Sequence, residues 1–312
     1  LVPSRETVAQ PLRSLASEGS SRLLARPHGL GELLVLARNG QAIWSTRDQR
    51  FALWRDGAAL HLGPGGPEGI AVIGWSGGAY CCWTLHVFAR TAAGPAHAGS
   101  FGLGKIEPSL YQPQRPGEAV LRVPDPALDF WDFLGGRGAD ISPAIPLRWD
   151  GRRLVADSAR MRQSAAESLS GPACDRPLDP AAVARARDGA DTADTELRYA
   201  SPAAAATALR GADWSRHPPA RPLAPATEAA RLAACLVFTG QAQAARTLLQ
   251  DAFPETEAMR RIATERQLTA RLACSRHVAT LRAINGADAP FLAGRCRRDA
   301  PAMGAGERGF AR

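Results

Sequence analysis

The sequence predicts an α+β fold in which an antiparallel, hairpin-built β-domain is followed by a small helical domain. The first observation is that Asn-Gly or Asp-Gly separates short apolar runs three times. These dipeptides favour hairpin turns because their residues accept positive φ. The second observation is that this pattern stops after Asp157, where helical periodicity and helix start signals replace it. A length of 312 residues fits about two domains.

The three turns predict an antiparallel meander, arranged as a sandwich-like domain or as a fragment of a propeller. The turns are Asn39-Gly40, Asp56-Gly57 and Asp150-Gly151. We expect each turn to join the β-type runs on either side of it into one hairpin. Those runs are 33–38 with 41–45, 51–54 with 58–62, and 145–149 with 152–155.

The composition divides the chain into five segments. We expect an N-terminal tail at 1–20, the β-domain at 21–157, a Pro/Ala-rich connector with short helices at 158–225, a helical pack at 226–286 and a C-terminal tail at 287–312. In the connector, Asp179-Pro180 and Ser201-Pro202 each place an N-cap residue before a proline, which predicts a helix start. A further helical stretch is expected at 158–169.

The helical pack is predicted to contain three helices. They are Thr227–Phe238, Gln241–Phe253 and a longer helix, Glu255–Ile284. In an up-down-up arrangement the first and third helices are parallel, so Cys235 and Cys274 would lie near the same end. We therefore predict a disulfide between these two cysteines.

The cysteines indicate disulfides and an oxidising compartment, because they are even in number and form no CxxC or zinc-ligand pattern. The six are Cys81, Cys82, Cys174, Cys235, Cys274 and Cys296. The chain begins at Leu1 rather than Met, which we interpret as an exported protein without its signal peptide. No apolar run approaches the ~20 residues that span a bilayer. We predict a periplasmic or secreted protein; the alternative is a cytosolic protein with buried free thiols.

The charge does not predict a nucleic-acid partner. The formal net charge is +8, but Lys105 is the only lysine and every other cation is an arginine. The arginines are scattered rather than clustered with aromatic residues, as a nucleic-acid surface would require.

The stretch Ile70 to Arg90 carries the nearest approach to a catalytic motif. Gly74-Trp75-Ser76-Gly77-Gly78 matches G-x-S-x-G, the nucleophile turn of α/β-hydrolases. That motif requires a helix after the serine, whereas residues 83–88 alternate as a strand does. We therefore interpret the stretch as a central β-hairpin with Gly77-Gly78 as its turn.

Five tryptophans, at positions 44, 54, 75, 83 and 149, fall on predicted strands or at their ends, where they fit a core role. A binding surface is the alternative, formed by Trp75, Tyr80, Trp83 and Trp131. His61 and His86 lie within predicted strands, and we interpret them as hydrogen-bonded strand histidines rather than ligands. No spacing predicts a metal site or a cofactor.

The adjacent Cys81 and Cys82 can close a disulfide with each other, or each can bond elsewhere, for example one to Cys174. A strained, exposed disulfide would permit a redox role. A structural role is the interpretation that we favour.

The segment Ser76 to Thr84, SGGAYCCWT, resembles the S-G-G-A-H-C-C-[FYW]-[ST] segment of uncharacterised bacterial exported proteins. The N-terminal half of those proteins is related to FG-GAP/VCBS-type β-repeats. Weaker similarities are found at 129–133, 142–151, 240–245 and 253–254. Two departures are Tyr80, where the family has histidine, and the stretch 63–68, where it has an acidic calcium-type loop. The resemblance implies export and a repeat-like β-domain, and it implies no activity.

We expect a non-catalytic exported protein with a structural or binding role, including that of an accessory subunit in a larger assembly. Its expected partner is another exported protein. The alternative is a serine hydrolase of α/β-hydrolase type with Ser76 as the nucleophile.

Overall fold

The computed structural model describes residues 12–78, 82–114, 120–129, 142–170, 199–215 and 225–296. The fold class is α+β, as predicted: antiparallel hairpin sheets come first and helices follow. The chain divides into two units that interleave along the sequence. The first comprises Leu1–Pro108, Pro116–Leu121 and Arg148–Val155, and the second comprises Ser109–Arg115, Arg122–Leu147 and Ala156–Arg312. The predicted single boundary at 157 is therefore too simple.

Two antiparallel sheets form most of the first unit. One has the order β1-β2-β3-β4, with strands at Arg13–Glu18, Ser21–His28, Gly31–Arg38 and Gln41–Asp48. The other has the order β5-β7-β8-β9, and β6 also pairs with β7. Its strands are β5 (Arg50–Leu53), β6 (Leu60–His61), β7 (Glu68–Trp75), β8 (Trp83–Thr91) and β9 (Gly94–Gly104). The strand β1 lies within the segment that we predicted to be a tail, so that prediction is wrong for 13–18.

The two sheets pack as a β-sandwich around one apolar core. Its buried members are Leu23, Ala25, Leu34, Leu36, Phe51, Ile70, Val72 and Phe88. From Ile43 to Asp48 on β4 the side chains alternate between exposed and half-buried, as the period of two in a strand requires. Trp44, Thr46 and Asp48 occupy the half-buried positions, so this strand directs one tryptophan and one carboxylate inward.

A partly buried ion pair links the two sheets. Arg13 donates from Nη2 to both carboxylate oxygens of Glu32, at 2.6 and 2.7 Å. The same nitrogen donates to the Phe51 carbonyl at 2.8 Å, and the Phe51 amide donates to Glu32 at 2.6 Å. Since Phe51 belongs to β5 and Glu32 to β3, this network fixes one sheet against the other.

The turn at Asn39-Gly40 is confirmed, with both residues at positive φ between β3 and β4. The hairpin predicted at Asp56-Gly57 is wrong. Residues Trp54–Gly57 form a tight turn, in which Arg55 and Asp56 also have positive φ. The chain therefore turns away from β5, and β5 and β6 both pair with β7 rather than with each other.

A small third sheet has the order β10-β11-β12, with strands at Leu121–Pro124, Ala144–Trp149 and Leu154–Ala156. Its residues are divided between the two units. The predicted turn after β11 is confirmed: Asp150 accepts hydrogen bonds from the amides of Arg152 and Arg153, at 2.9 and 2.8 Å.

Seven helices lie in the described part of the second unit. They are α1 (Ser158–Met161), α2 (Ala165–Ser170), α3 (Pro202–Arg210), α4 (Pro225–Phe238), α5 (Ala242–Ala252), α6 (Ala258–Ala273) and α7 (Val278–Asn285). Helix α4 is buried on nearly all sides, and α2, α3, α5, α6 and α7 pack around it. The Ser201 hydroxyl caps α3 as predicted, because it accepts from the Ala204 amide at 3.1 Å. The start predicted at Asp179-Pro180 lies outside the described residues.

Three helical predictions need correction. The stretch 158–169 forms two short helices rather than one. The long third helix is interrupted after Ala273, and α7 begins only at Val278. The segment after 286 is not a simple tail, since Phe291 and Leu292 are buried and Cys296 is bonded to Cys274.

Candidate functional site in the β-sandwich

Ser76 lies in the turn of the predicted central hairpin, which the structure confirms. Strand β7 ends at Trp75 and pairs with β8 from Trp83 onward. The Ser76 amide donates to the Cys82 carbonyl at 3.2 Å, and the Cys82 amide donates to the Ser76 hydroxyl at 2.9 Å. Since a strand follows the serine rather than a helix, the turn is not the nucleophile turn of an α/β-hydrolase.

Two of the four residues of the predicted aromatic surface lie among the described residues. Trp75 and Trp83 are cross-strand partners, and their rings stack with centroids 5.9 Å apart. The Trp75 indole donates to the Gly78 carbonyl at 3.1 Å. Both side chains are half-buried. Tyr80 and Trp131 lie outside the described residues.

The described cysteines are all in disulfides. Cys274 is bonded to Cys296, so the predicted bond between Cys235 and Cys274 is wrong. The reason is the break after α6: Cys274 ends that helix and faces the C-terminal segment instead of continuing along a long third helix. Cys82 and Cys235 are also disulfide-bonded. Cys81 and Cys174 lie outside the described residues, so the question of a Cys81–Cys82 bond stays open.

A polar cluster that the sequence analysis did not identify lies in the sandwich, on β8 and β9. His86 is only 4% exposed. Its Nδ1 atom lies 2.8 Å from the hydroxyl of Ser100, its cross-strand partner. The same hydroxyl lies 2.9 Å from Nε2 of His97. One serine therefore links two imidazole rings.

Aromatic rings from both sheets enclose this cluster. The Trp44 ring from β4 stacks on His97, with centroids 4.3 Å apart and planes 19° apart. It also contacts His86 at 5.7 Å, and Phe51 contacts His86 at 5.8 Å. The imidazoles are thereby held in fixed orientations between the two sheets.

Asp48 and His86 converge at Gly74. A Cβ atom on Gly74 would stand 2.5 Å from Asp48 Oδ2 and 3.2 Å from His86 Nε2. The absence of a side chain thus lets the carboxylate approach β7 beside the imidazole. The two atoms do not hydrogen-bond each other, and neither has a hydrogen-bond partner among the described residues.

Burial sets the protonation of these groups. It raises the pKa of Asp48 from 3.8 to about 6, although the Gln49 amide, which donates to the carboxylate, acts in the opposite direction. Burial also lowers the pKa of His86 from 6.5 to about 3, with a further decrease from the neighbouring His97. The pKa of His97 is lowered by burial as well. Near neutral pH both imidazoles are uncharged and Asp48 is mainly ionised.

The arrangement is poorly suited to general-base catalysis by His86. An imidazole with a pKa of about 3 accepts a proton poorly near neutral pH, so it is a weak general base. The hydrogen bond that would orient His86 through Asp48 in a Ser-His-Asp triad is also missing. Within the described residues, no three His, Cys, Asp or Glu side chains are grouped so that they could hold a metal ion.

The second unit contains a different cluster, around Asp125. Its Oδ1 atom accepts from the Ala127 amide at 2.9 Å, and its Oδ2 atom accepts from the Ser275 hydroxyl. That hydroxyl also accepts from the His277 amide at 2.9 Å. Asp125 and Ser275 are buried, as is His277. The cluster braces the segment after β10 against the break between α6 and α7.

The signal that could have found the sandwich cluster is the position of polar residues within strands. Asp48 lies four residues after Trp44 on β4, and His86 lies two before Phe88 on β8, so each shares the inward face with an aromatic residue. No described histidine hydrogen-bonds Ser76.

The chain is an α+β protein whose β-sandwich contains a polar cluster of Asp48, His86, His97 and Ser100. Among known proteins, no family model, no curated protein and no solved structure matches the chain. In the described ranges, no helix is both long and apolar enough to cross a membrane.

Proposed function

We propose that this chain is an exported, non-catalytic binding protein and that its ligand site is the polar cluster of the sandwich. The observation that supports this most strongly is the convergence of Asp48 Oδ2 and His86 Nε2 at Gly74. Both atoms lack a hydrogen-bond partner among the described residues, and polar groups that the protein does not satisfy are the kind that orient a ligand in a binding site.

Export is part of the same proposal. The bond between Cys274 and Cys296, together with those at Cys82 and Cys235, is typical of oxidising compartments. The similarity of Ser76 to Thr84 to a segment of exported bacterial proteins supports the same location. A role as accessory subunit, with another exported protein as partner, belongs to this proposal too.

The alternative of a serine hydrolase at Ser76 is less well supported. The Ser76 hydroxyl accepts from a backbone amide within a hairpin turn, and a nucleophile needs a neighbouring base instead. The polar cluster contains a serine, but the imidazole beside Ser100 is too weakly basic to activate it.

A labelling experiment tests this function. The oxidised full chain and its Ser76→Ala variant are treated with a fluorophosphonate probe and assayed with short-chain esters. We expect no labelling and no turnover in either protein. Stoichiometric labelling of Ser76, or turnover that the Ser76→Ala variant loses, would replace the binding function with the hydrolase. The variant Ser45→Ala, at an exposed strand position, is the matched control.

A further inference from the structure

One end of the β-sandwich brings together the turn between β2 and β3, the joint between β4 and β5, and the tip of the β7–β8 hairpin. Gly31 follows the first turn, and a Cβ atom on it would stand 3.1 Å from Gln49 Cα. The Gln49 amide donates to the Trp75 carbonyl at 2.9 Å. A Cβ atom on Gly77 would stand 2.8 Å from Gln49 Cγ. Gln49 therefore joins the three segments, and we call this region the Leu30 end.

The Leu30 end exposes large apolar side chains. Leu30 occupies the two-residue turn between β2 and β3 and is 90% exposed. Leu12 directly precedes β1, whose first residue pairs near the end of β2, and it is 60% exposed. The stacked indoles of Trp75 and Trp83 lie at the same end and are half-buried. Apolar side chains that are exposed as a group, rather than singly, mark interaction sites.

Three exposed arginines accompany these apolar residues. Arg26 and Arg47 are the cross-strand partners of Leu33 on either side, so they flank it on the outer face of the sheet. Arg50 begins β5 opposite Trp75. None of the three arginine side chains forms an ion pair or a hydrogen bond with another described residue. Their charges are therefore available to a partner.

Most acidic side chains of the sandwich lie elsewhere or are covered. The exposed Glu18 and Glu68 lie at the opposite end, where β1 ends and β7 begins. Glu32 is buried and ion-paired, and Asp48 is half-buried on the inward face. Glu107, which follows β9, is exposed at the Leu30 end, but the single lysine of the chain lies two residues before it. The Leu30 end is therefore both apolar and positively charged.

This combination fits the surface of an anionic bilayer. Apolar side chains enter the boundary of the acyl chains, arginines are attracted by anionic headgroups, and tryptophan is enriched at the interface. Arg26 and Arg47 are level with Leu33, about 10 Å from Leu30 along the strand. The charges thus lie behind the apolar tip, as lipid phosphates lie outside the acyl chains.

An acidic protein would attract the same arginines, but the exposed set is small for such a partner. A stable protein interface takes about 20–30 residues from each side. Two leucines and three arginines form the exposed set at the Leu30 end. A bilayer needs no complementary shape, so a few side chains that combine apolar area with charge are enough for reversible binding.

We propose that the Leu30 end docks on an anionic phospholipid surface. Leu30 and Leu12 enter the boundary of the acyl chains. Arg26, Arg47 and Arg50 contact the lipid phosphates. This docking surface is separate from the polar cluster between the sheets, so it goes beyond the proposed ligand site and does not depend on it.

Co-sedimentation with lipid vesicles tests the docking. The oxidised full chain is mixed at low ionic strength with vesicles of phosphatidylcholine and phosphatidylglycerol in equal parts, and separately with vesicles of phosphatidylcholine alone. We expect saturable binding to the anionic vesicles and much weaker binding to the neutral ones. Added salt should weaken the binding, because it screens exposed charges.

The leucine at the tip is tested with Leu30→Ser. The variant loses the apolar area that enters the bilayer, so binding to the anionic vesicles should weaken about tenfold. Ile43→Ser is the matched control, because Ile43 is 51% exposed on the same sheet, towards the opposite end of β4. It should bind as the unmodified chain does. Both variants should keep the urea midpoint, since surface changes of this kind cost little stability.

The arginines are tested with two triple variants that lower the net charge equally. The test variant carries Arg26→Gln, Arg47→Gln and Arg50→Gln. The control variant has its changes at exposed positions elsewhere in the first unit, and they are Arg22→Gln, Arg55→Gln and Arg152→Gln. An arginine at an anionic surface strengthens binding about fivefold, so the test variant should bind about a hundredfold more weakly. The control variant should keep most of the binding.

Three results would overturn the docking surface. They are a lack of binding to the anionic vesicles, equal losses in the two triple variants, and unchanged binding in Leu30→Ser. Soluble poly-L-glutamate is the comparison polymer. If it binds, if the arginine test variant loses that binding, and if Leu30→Ser still binds vesicles fully, the partner is an acidic protein instead.

Discussion

A cluster of aspartate, serine and histidine occurs in each unit, and the two clusters use their polar atoms differently. In the sandwich, Asp48 Oδ2 and His86 Nε2 both lie beside Gly74 and bond to no described residue. In the second unit, both oxygens of Asp125 accept hydrogen bonds from the protein. His277 Nε2 is buried there without a partner, but no free carboxylate oxygen accompanies it. The same residue types can therefore form a site or a brace, and the unused acceptors distinguish the two.

The largest loss of stability is expected when the hydrogen bonds of Asp125 are removed. Asp125→Ala removes the acceptor of the Ala127 amide and the Ser275 hydroxyl. Because both donors stay buried, we expect the free energy of unfolding to fall by about 4 kcal/mol. Urea denaturation measures the loss. Asp251→Ala, which removes an exposed pair with Arg210 at 3.9 Å, is the control and should cost less than about 0.5 kcal/mol. Equal losses in both variants would mean that the second cluster is not a brace.

The disulfide beside the brace is the next target. Cys274 directly precedes Ser275, and its bond to Cys296 closes a loop with a sequence separation of 22. Replacing both cysteines by serine should lower the free energy of unfolding by about 3 kcal/mol, because the unfolded chain regains the entropy of an open loop. The resonances of His86 and Ser100 in the sandwich should not change. Peptide mapping that joined Cys274 to Cys235 instead would contradict the structure.

The hairpins show what local sequence can and cannot predict. Asn39-Gly40 and Asp150-Gly151 form the predicted turns because the strands on either side pair with each other. Asp56-Gly57 has the same chemistry, but β7 takes both neighbouring strands as partners. The dipeptide itself gives no indication that a third strand, several residues further along the chain, pairs with both of its neighbours. The helix break after Ala273 was missed in the same way, since Ser275 is drawn into a contact with the distant Asp125.

The candidate site was less predictable than the fold. Ser76 matched a motif and proved to be a turn residue, whereas Asp48 and Ser100 matched no motif. His86 was assigned a hydrogen bond within the sheet, and its bond to Ser100 agrees with this. The convergence of His86 with Asp48 depends on the packing of two sheets and on the missing side chain of Gly74. Neither condition can be derived from a sequence pattern.

Filling the space at Gly74 should close the open cluster. In Gly74→Ala the new methyl group would meet Asp48 Oδ2 at 2.5 Å and the Phe51 ring at 3.1 Å. We expect a loss of about 2 kcal/mol in the free energy of unfolding, because strands on both sides resist displacement. The control is Gly211→Ala, where nothing lies closer than 3.7 Å and the change should cost less than about 0.5 kcal/mol. Unchanged stability in Gly74→Ala would show that the carboxylate does not need this space.

The smallest effect is the pH dependence that Asp48 confers. Its pKa is raised from 3.8 to about 6 in the folded chain, so the native state keeps a proton that the unfolded state has already released. Stability from this group is greatest below about pH 4, is lost as the pH rises through about 6 and is constant above that. Asp48→Asn removes the dependence. Relative to the unmodified chain, the variant should therefore gain stability between about pH 4 and pH 7, by about 1 kcal/mol after allowance for solvent screening of a half-exposed group.

The histidines contribute a pH dependence of opposite sign, which the same comparison cancels. The pKa of His86 is lowered to about 3, so its contribution is present above the unfolded value of 6.5 and is lost as the pH falls. Since Asp48→Asn keeps His86 and His97, the difference between the two urea-unfolding curves isolates the carboxyl. A difference that is flat over this range, or that favours the unmodified chain as the pH rises, would mean that Asp48 has a cation partner in the free protein. The Asp48 carboxylate would then be satisfied within the protein, as the carboxylate of Asp125 is.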